Sequence, residues 1–515
     1  GLVGSEMCIR DSLQPRPINQ RLKKEEVNAK GLKGRFYTDK VPYAYNYVDD
    51  KDEIMDTATT RADHGHGMHV IGIIAANSLD GSGLTGVAKN AQILSMKVFS
   101  NDPFDQGLGT EGAIIQALED SLILGADVIN LSLAVPSGVN NEEDPLQRAV
   151  QACIDKGIVV VAAAGNTSYS TYPNVMTEDP GSVGSPSIIE DTISVASYES
   201  DFMNLAAFKL GEKQIPYSKI NGDITKISGL NIVDGADGNP DEIPKNNGIV
   251  LMHRSGLQFV DMVKSAYEKG AKAVIFYNRE GDKEYVTNVG KIEQDIPVIF
   301  VSYEDGMFIK ENIDKTPNFD ELRVQIPNNI KGISVFSSQG PADGLAIKPE
   351  VTAIGGQVYS LTNNNEYMSM SGTSMATPYV AGVVVNYMNY LDEKGISYTP
   401  ATIKSALMNT AEIKDHSGLA YAVTKQGAGM VSLPNLIKQE LVLSYNNKAK
   451  IELGEIGPST QINLDLKKLT EDSLDVNVSF TDVMTFDAEN NETIVLEGAS
   501  ISADTTSFNL ADENA

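Results

Sequence analysis

Ser374 stands in the sequence GTSMATP, directly before the run 378–391, which is apolar at nearly every position. Such a run predicts a helix that is buried rather than one that lies on the surface. Because proline is tolerated in the first turn of a helix, Pro378 predicts that this helix begins close to Ser374. Unpaired backbone N–H groups at a helix start favour negative charge, which suits a serine nucleophile. The alternative interpretation of Gly-Thr-Ser here is a simple helix N-cap.

A serine that transfers acyl groups needs a base for its proton, a group that orients the base, and donors for the oxyanion. Three histidines, His64, His66 and His69, lead directly into a second apolar run and are candidate bases. Their spacing of two and three residues also suits a metal ion. No cysteine or well-spaced carboxylate completes a ligand set beside them, so we expect no metal there.

Asn166 is the third polar residue in a chemically suggestive position. The preceding run 158–164 is apolar and rich in β-branched residues, which predicts a buried strand. Open α/β sheets bind their ligands at the carboxyl ends of the parallel strands. The Asn166 amide is therefore expected to project into a ligand site, although Gly-Asn after a strand is also a common turn.

The elements that must hold these residues alternate along the chain. The pattern predicts strands and helices in turn at residues 93–99, 112–124, 128–133, 146–156 and 158–163. This order is typical of a parallel α/β sheet. The predicted strands are nearly continuous apolar runs, as expected when helices cover both faces of the sheet.

Composition limits the possible partners. The 515 residues include 41 Lys and Arg against 69 Asp and Glu, a net charge of -28, which disfavours nucleic acid and anionic membranes. The two cysteines, Cys8 and Cys153, are too few for a disulfide framework. No uncharged apolar stretch of about 18 residues occurs, so no membrane-spanning segment is predicted. Residues 1–12 have the character of translated adapter sequence, and we expect a fragment truncated at both ends.

Together, these motifs resemble those of subtilisin-like serine proteases. GTSMATP is similar to the family's nucleophile motif, HGMHVIG to its histidine motif, and VVVAAAGN to the segment that carries its oxyanion-stabilising asparagine. The resemblance implies that Ser374 is the nucleophile, His66 the general base and Asn166 the oxyanion donor. His69 is then structural and His64 a loop residue. The residues that the resemblance places in the substrate cleft are Ser132, Leu133, Ala134, Ala164 and Gly165.

The family's orienting aspartate ends the first strand of the sheet and is followed by Ser or Thr and then Gly. No such sequence precedes His66. Asp11 lies within the suspected adapter sequence, and Asp49, Asp50 and Asp63 lie in polar stretches. We assign no residue to this role and expect it upstream of the fragment. Loss of the orienting carboxylate costs a serine protease about 10⁴ in turnover.

A change of pattern around Phe202 predicts an insertion into the catalytic domain. The order of strands and helices in it resembles the protease-associated domain, and the alternative is a generic α/β insert. His253 and Arg254 of this insert are expected at a turn or rim. Short alternating runs near the end of the chain predict antiparallel strands. The predicted domains are a catalytic domain at 13–205 and 331–438, the insert at 206–330, and part of a fibronectin type III-like β-sandwich at 439–515.

The segments KVPYAYNY, HGMHV, FSSQGP and KPEVTA resemble one subgroup, the cell-envelope proteinases of Gram-positive bacteria. This resemblance implies a monomeric serine endopeptidase, secreted or attached to the cell wall, that cleaves proteins and peptides and requires no cofactor. Large members of the subgroup are stabilised by calcium. Asn77 and Asp80 lie in a loop that suits a calcium ion, although the same sequence suits an ordinary turn.

Two other functions are compatible with parts of the sequence. The missing aspartate favours a non-catalytic surface adhesin that binds host proteins, whereas the presence of Ser374, His66 and Asn166 favours a protease. A serine esterase is disfavoured because Ser374 does not lie in a Gly-x-Ser-x-Gly sequence.

Overall fold

The computed structural model describes residues 21–56, 65–77, 84–101, 110–169, 178–282, 285–286, 292–363, 367–453, 457–470, 472–487 and 492–510. The chain divides into two compact units. The second unit, residues 201–330, interrupts the first in sequence, so the first is built from the chain up to residue 200 and from residue 331 onward.

The first unit opens with alternating helices and strands. In chain order these are α1 (Lys24–Ala29), β1 (Tyr43–Asn46), α2 (His66–Ala75), β2 (Leu94–Lys97), α3 (Glu111–Leu124), β3 (Val128–Leu131), α4 (Pro145–Asp155), β4 (Val159–Ala163) and β5 (Ile193–Glu199). Local sequence explains the bounds of α3. The Thr110 side chain accepts a hydrogen bond from the Ala113 N–H, and Gly125 ends the helix with a φ of 71°. The predicted alternation is confirmed.

The second unit is a small α/β structure of its own. Its elements are β6 (Phe202–Leu210), β7 (Lys213–Asn221), β8 (Ile232–Asp234), β9 (Ile249–His253), α5 (Phe259–Glu268), β10 (Ala273–Tyr277), β11 (Val298–Val301), α6 (Tyr303–Glu311) and β12 (Pro317–Pro327). The strands form one sheet in the order β12-β6-β7-β11-β10-β9-β8. His253 Nδ1 lies 3.0 Å from Asp237 Oδ1, and Arg254 donates to Asn278 Oδ1. The protease-associated identity of this unit stays a prediction.

The first unit resumes after the second. Its further elements are β13 (Val351–Gly356), β14 (Val358–Leu361), β15 (Tyr367–Met370), α7 (Thr373–Lys394), α8 (Pro400–Asn409), β16 (Asp415–His416), β17 (Leu419–Ala420), α9 (Val423–Gln426), α10 (Leu433–Ile437), β18 (Leu441–Ser444), β19 (Asp465–Lys468), β20 (Leu474–Asn477), β21 (Met484–Asp487), β22 (Glu492–Val495) and β23 (Ser507–Leu510). The last six strands pair antiparallel, β18 with β19, β20 with β23 and β21 with β22. A fibronectin-like sandwich stays a prediction.

A four-stranded parallel sheet in the order β13-β5-β4-β3 forms the centre of the first unit. Alternate residues of β4 point to opposite faces. Val160 packs in the apolar cluster that includes α3 and α4, whereas Val161 packs in the cluster that includes α7 and α8. Helices therefore cover both faces of the sheet, and the predicted α/β class is confirmed. A separate parallel pair is formed by β1 and β2.

A buried ion cluster lies where β5 and β13 begin. It consists of Lys348, Glu350, Lys404, Lys450 and Glu190. Lys348 and Glu350 are fully buried and 2.9 Å apart, and Lys404 Nζ is 2.8 Å from the same Glu350 oxygen. The other Glu350 oxygen accepts a hydrogen bond from the Ser194 N–H. Burial alone would raise the pKa of Glu350, but the lysines hold it below its usual value.

Candidate active site

The helix α7 begins at Thr373, so Ser374 is its second residue. The N-cap is Gly372 and has no side-chain cap bond, so the N-cap interpretation of Ser374 is wrong. The position predicted for Pro378 is also wrong, because this proline lies beyond the first turn, inside the helix. A proline there has no N–H to donate to the carbonyl four residues earlier, which belongs to Ser374.

Ser132 replaces the hydrogen bond that Pro378 cannot make. The Ser132 hydroxyl donates a hydrogen bond to the Ser374 carbonyl oxygen at 2.8 Å. In return, the Ser374 hydroxyl donates to the Ser132 carbonyl oxygen at 3.3 Å. Ser132 follows β3 directly, so this contact fixes the start of α7 against the carboxyl end of a central strand. The Ser374 side chain is half-buried, with its hydroxyl at the first turn of the helix.

Asn166 is held by the same helix start. It follows β4 after two residues, and its Oδ1 accepts hydrogen bonds from the Thr373 N–H at 2.9 Å and the Thr373 hydroxyl at 3.0 Å. Because the Thr373 N–H can only donate, the atom facing it must be the amide oxygen. The Asn166 amide nitrogen therefore points away from this contact, on a residue that is exposed. This nitrogen lies beside the first turn of α7, 3.4 Å from the position that a Cβ on Gly372 would take.

His66 is the first residue of α2 and is half-buried. The turn before it requires a glycine, because Gly65 has a φ of 84° and a side chain there would collide with Thr362. The Gly65 N–H donates to Asp56 Oδ2 at 3.1 Å. Helix α2 packs against α7, and Met68 and Met375 belong to the same apolar cluster. Met68 follows His66 by two positions and Met375 follows Ser374 by one, so residues of both first turns contribute to this cluster.

His69 has no exposed surface, as a structural histidine requires. Its Nε2 lies 3.0 Å from the Val358 carbonyl oxygen and 3.1 Å from that of Met368, so Nε2 must carry the proton. Burial lowers the pKa of His69 to about 4. A neutral imidazole fixed between two carbonyls cannot exchange protons with a substrate, and its predicted structural role is confirmed.

The residues predicted for the cleft lie close together. The ladder between β3 and β4 ends at Leu131, and an isolated bridge joins Val135 to Ser185, so residues 132–134 lie outside any ladder. Gly165 has a φ of 116°, and a side chain on it would come within 2.8 Å of Ser338 Oγ and 3.7 Å of Ala134 Cβ. The segments after β3 and β4 thus run side by side next to Ser374.

His64, which is expected in a loop, and Asp80, which is considered for calcium, lie outside the described residues. Asn77 is described and forms an isolated bridge with Thr85. Within the described ranges, no group of three or more His, Cys, Asp or Glu side chains is arranged to hold a metal ion. A structural calcium ion stays a prediction.

Sequence reasoning missed one residue beside the site, Asp56, and one side-chain contact of the predicted cleft residue Ser132. Asp56 places a carboxylate at the turn that precedes His66, and Ser132 bonds to Ser374 through its side chain rather than through its backbone alone. Pro378 could have indicated the contact between Ser132 and Ser374. A proline inside a helix leaves the carbonyl four residues earlier without its helical N–H donor, so that carbonyl needs a donor from another part of the chain.

A sequence profile of the subtilase family matches residues 16–432, most of the chain. The chain belongs to the subtilase family. The family predicted from the motifs is therefore confirmed. Among the described residues, no helix is both long and apolar enough to cross a bilayer.

Curated relatives of this subtilase include a PII-type proteinase of Lacticaseibacillus paracasei, 32% identical over 511 residues that cover 87% of this chain and 25% of the relative. A C5a peptidase of Streptococcus pyogenes serotype M6 is 29% identical, covering 84% of this chain and 37% of the relative. The chain thus spans about a quarter of the length of the first of these relatives. The subtilisin-like protease Apa1 from Pseudoalteromonas sp. AS-11 aligns with a TM-score of 0.44 and 19% identity, over 76% of this chain and 87% of that one.

Proposed function

We propose that this chain carries the catalytic region of a serine endopeptidase that hydrolyses peptide bonds through an acyl-enzyme on Ser374. The observation that carries the proposal is the contact between Asn166 and Thr373 at the start of α7. It fixes an outward-facing amide donor beside the helix turn that holds the candidate nucleophile. That arrangement serves an oxyanion, whereas a structural turn has no need of it.

The proposed reaction begins when His66 takes the proton of the Ser374 hydroxyl while the oxygen attacks the substrate carbonyl carbon. The carbonyl oxygen becomes negatively charged, and the Asn166 amide together with the Ser374 N–H donates hydrogen bonds to it. His66 then gives its proton to the leaving amine, and the C–N bond breaks. Water, deprotonated by the same imidazole, hydrolyses the acyl-enzyme. A carboxylate that orients His66 is part of this proposal, but we assign it to no described residue.

The substrate is proposed to bind as an extended peptide along Ser132, Leu133 and Ala134 on one side and Ala164 and Gly165 on the other. Support comes from the end of the β3–β4 ladder at Leu131, beyond which residues 132–134 lie outside any ladder. Backbone groups at the edge of a sheet bind an extended chain as an added strand.

The proposed setting is outside the cell, secreted or attached to the wall of a Gram-positive bacterium, with extracellular proteins as substrates and the chain acting as a monomer. The relatives named PII-type proteinase and C5a peptidase support this setting. The net charge of -28 agrees with it, because such a surface keeps a protein dissolved and repels anionic polymers.

Labelling with a fluorophosphonate, which reacts with activated serines, tests the proposal. We expect the chain to be labelled and the Ser374→Ala variant to remain unlabelled. Ser371→Ala is the matched control, since Ser371 lies three residues away and is exposed. It should be labelled like the unchanged chain. Equal labelling of the Ser374→Ala variant would overturn the assignment, and absence of labelling in every variant would favour the non-catalytic adhesin.

A further inference from the structure

Residues 53–56, upstream of His66 in the chain, are held by side chains rather than by a sheet. They belong to no strand, yet Ile54 is only 2% exposed and packs in the apolar cluster that includes α2. Three asparagine amides donate to the backbone carbonyls of this segment. They are Asn46 Nδ2 on Glu53 at 2.9 Å, Asn101 Nδ2 on Met55 at 2.8 Å and Asn363 Nδ2 on Asp56 at 2.8 Å. We call these three side chains the asparagine brace.

The asparagine brace comes from three distant parts of the first unit. Asn46 is the last residue of β1, Asn101 follows β2, and Asn363 follows β14. Asn46 is fully buried and Asn363 is only 5% exposed, so their hydrogen bonds are shielded from water. Backbone carbonyls that no ladder pairs need such donors. Residues 53–56 are therefore fixed relative to β1, β2 and β14.

Asn363 shows that the contact with Asp56 has a cost. Its Oδ1 is buried and has no hydrogen-bond partner in the described part of the chain. A buried amide oxygen without a donor costs free energy, and buried polar groups in native proteins are nearly always paired. The reverse orientation of the amide would place its oxygen against the Asp56 carbonyl, and two acceptors cannot pair. Departures of this kind from complete pairing are expected at functional sites.

Asp56 contacts the turn from which α2 begins. Its Oδ2 accepts a hydrogen bond from the Gly65 N–H at 3.1 Å, and the next residue, His66, is the first of α2. Thr362 fills the space beside the same glycine, so the segment after β14 contacts both the turn and Asp56. The helix dipole also favours a carboxylate at a helix start. The backbone that precedes His66 is therefore held by Asp56 and by the segment after β14.

We propose that Asp56 is a positioning residue for the candidate general base His66. The asparagine brace fixes Asp56, and the Asp56 carboxylate fixes the Gly65 turn that presents the imidazole to Ser374. Asp56 acts through the backbone and takes no proton, so it does not replace the carboxylate that orients the imidazole. The inference rests on the proposed function. Proton transfer depends on alignment, and a misplacement of about 1 Å costs about 10² in rate.

The test compares variants of the full chain in fluorophosphonate labelling and in peptide hydrolysis. Asp56→Ala removes the acceptor for the Gly65 N–H, so labelling and kcat should fall at least about tenfold while KM changes less than about twofold. Asp56→Asn keeps an acceptor oxygen and should restore both rates to within about threefold of the unchanged chain. Asp52→Ala is the matched control, because it removes an exposed carboxylate four residues earlier. It should leave both rates unchanged.

Urea denaturation separates positioning from a loss of fold, and the rates are compared where each variant is folded. An Asp56→Ala variant that is folded and reacts at the unchanged rate would overturn the proposal. So would an Asp56→Asn variant as slow as Asp56→Ala, because the charge of the carboxylate rather than its hydrogen bond would then matter.

The asparagine brace is tested through Asn363. Asn363→Ala removes the donor to the Asp56 carbonyl and should slow labelling at least about threefold. In the Asp56→Ala background it should cause no further loss, because both changes act on the same contact chain. Additive losses would contradict the assignment of the brace to Asp56. If the buried Asn363→Ala variant fails to fold, the two Asp56 variants decide the matter.

The failure of this inference can be distinguished from the failure of the proposed function. If Ser374 is labelled equally in the unchanged chain and in Asp56→Ala, the proposed function stands and the positioning role is overturned. If no variant is labelled, the proposed function loses support, and hydrogen exchange tests the contact itself. Amides of the first turn of α2 should then exchange faster in Asp56→Ala than in Asp56→Asn. Equal exchange would overturn the positioning role.

Discussion

The two edges of the central parallel sheet differ in how they treat polar groups. At the amino edge, where β5 and β13 begin, the carboxylate of Glu350 contacts three lysines and the Ser194 N–H in full burial. At the carboxyl edge, the Asn166 side-chain oxygen accepts from Thr373, and the amide nitrogen belongs to an exposed residue. The amino edge therefore pairs its charges with one another, whereas the carboxyl edge fixes the position of an exposed amide.

The difference shows how one sheet separates stability from chemistry. Buried charges are tolerated at the amino edge because each has partners, and the loss of one partner leaves the others uncompensated. At the carboxyl edge, neutral hydrogen bonds from Thr373 to the Asn166 oxygen hold the Asn166 amide in place. Little rearrangement is therefore needed when negative charge develops on the substrate carbonyl oxygen. Variants at the amino edge should therefore change stability alone, and variants at the carboxyl edge should change activity more than stability.

The largest effect is expected from Glu350→Gln in the ion cluster. The change keeps the side-chain shape but removes the charge that compensates Lys348, Lys404 and Lys450. Breaking a buried ion pair in this way costs about 3–5 kcal/mol of unfolding free energy. Urea denaturation followed by circular dichroism measures it.

Glu452→Gln is the matched control. Glu452 contacts Lys450 at 3.0 Å but is 24% exposed, so its loss should cost less than about 1 kcal/mol. Under conditions where both variants are folded, each should react with fluorophosphonate at the rate of the unchanged chain. If Glu350→Gln had normal stability but reacted more slowly with fluorophosphonate, the prediction that the amino edge affects stability alone would be wrong.

Asn166→Leu is expected to have the next largest effect, and on activity. It removes the amide donor, a loss that lowers turnover by about 10²–10³, or about 3–4 kcal/mol of transition-state stabilisation. It also removes the acceptor for the Thr373 N–H, which lowers stability by about 1 kcal/mol. Rates of peptide hydrolysis and urea denaturation measure the two effects.

Asn166→Asp distinguishes these two roles of the side chain. A carboxylate still accepts from Thr373 and suits a helix start, so stability should return to that of the unchanged chain. The donor remains absent, so turnover should stay as low as in Asn166→Leu. Restored turnover in Asn166→Asp would show that Asn166 acts only as a cap for α7.

The sequence patterns predicted the parts of this architecture that repeat at regular spacing. The alternating apolar runs predicted the parallel sheet, and the apolar run after Ser374 predicted the buried helix α7. Three short motifs predicted that Ser374, His66 and Asn166 occupy element ends. Such features depend on neighbours in the chain, so they leave a local signal.

The ion cluster left no such signal. Glu190, Glu350 and Lys450 are far apart in sequence, and charged residues at those positions also suit a solvated surface. The strand order β13-β5-β4-β3 left no signal either, because the order of elements along the chain does not specify which strands lie next to each other. Pro378 was misplaced because the motif suggested a first-turn proline, whereas the structure tolerates it by satisfying Ser374 through Ser132.

Acid should destabilise the amino edge. Burial alone would raise the pKa of Glu190, but the charges of Lys450 and Lys404 outweigh burial and lower this pKa from 4.5 to about 2. The pKa of Glu350 is also below its usual value. Because these folded-state pKa values lie below the unfolded ones, the stabilisation is complete above about pH 4.5 and is lost as pH falls toward about 2. Urea denaturation from neutral pH down to about pH 3 should show this decline, and Glu350→Gln should make it shallower. An unchanged slope in that variant would exclude the ion cluster as its cause.

The smallest expected effect concerns Ser132, at the junction of β3 and α7. Ser132→Ala removes the donor to the Ser374 carbonyl and the acceptor for the Asn130 amide. Loss of such a buried bond costs about 1–2 kcal/mol of unfolding free energy. Because Ser374 is held less firmly, turnover should also fall, by less than in Asn166→Leu.

Combining Ser132→Ala with Pro378→Ala tests whether Ser132 compensates for the proline. Alanine restores an N–H at position 378, which can donate to the Ser374 carbonyl along the helix. The Ser374 carbonyl then no longer depends on Ser132, so Ser132→Ala should cost about 1 kcal/mol less in the Pro378→Ala background than in the unchanged chain. A double-mutant cycle in urea measures this coupling. If the two changes are additive, Ser132 does not compensate for the proline, and the firmness of the nucleophile's helix start must come from the contact between Asn166 and Thr373.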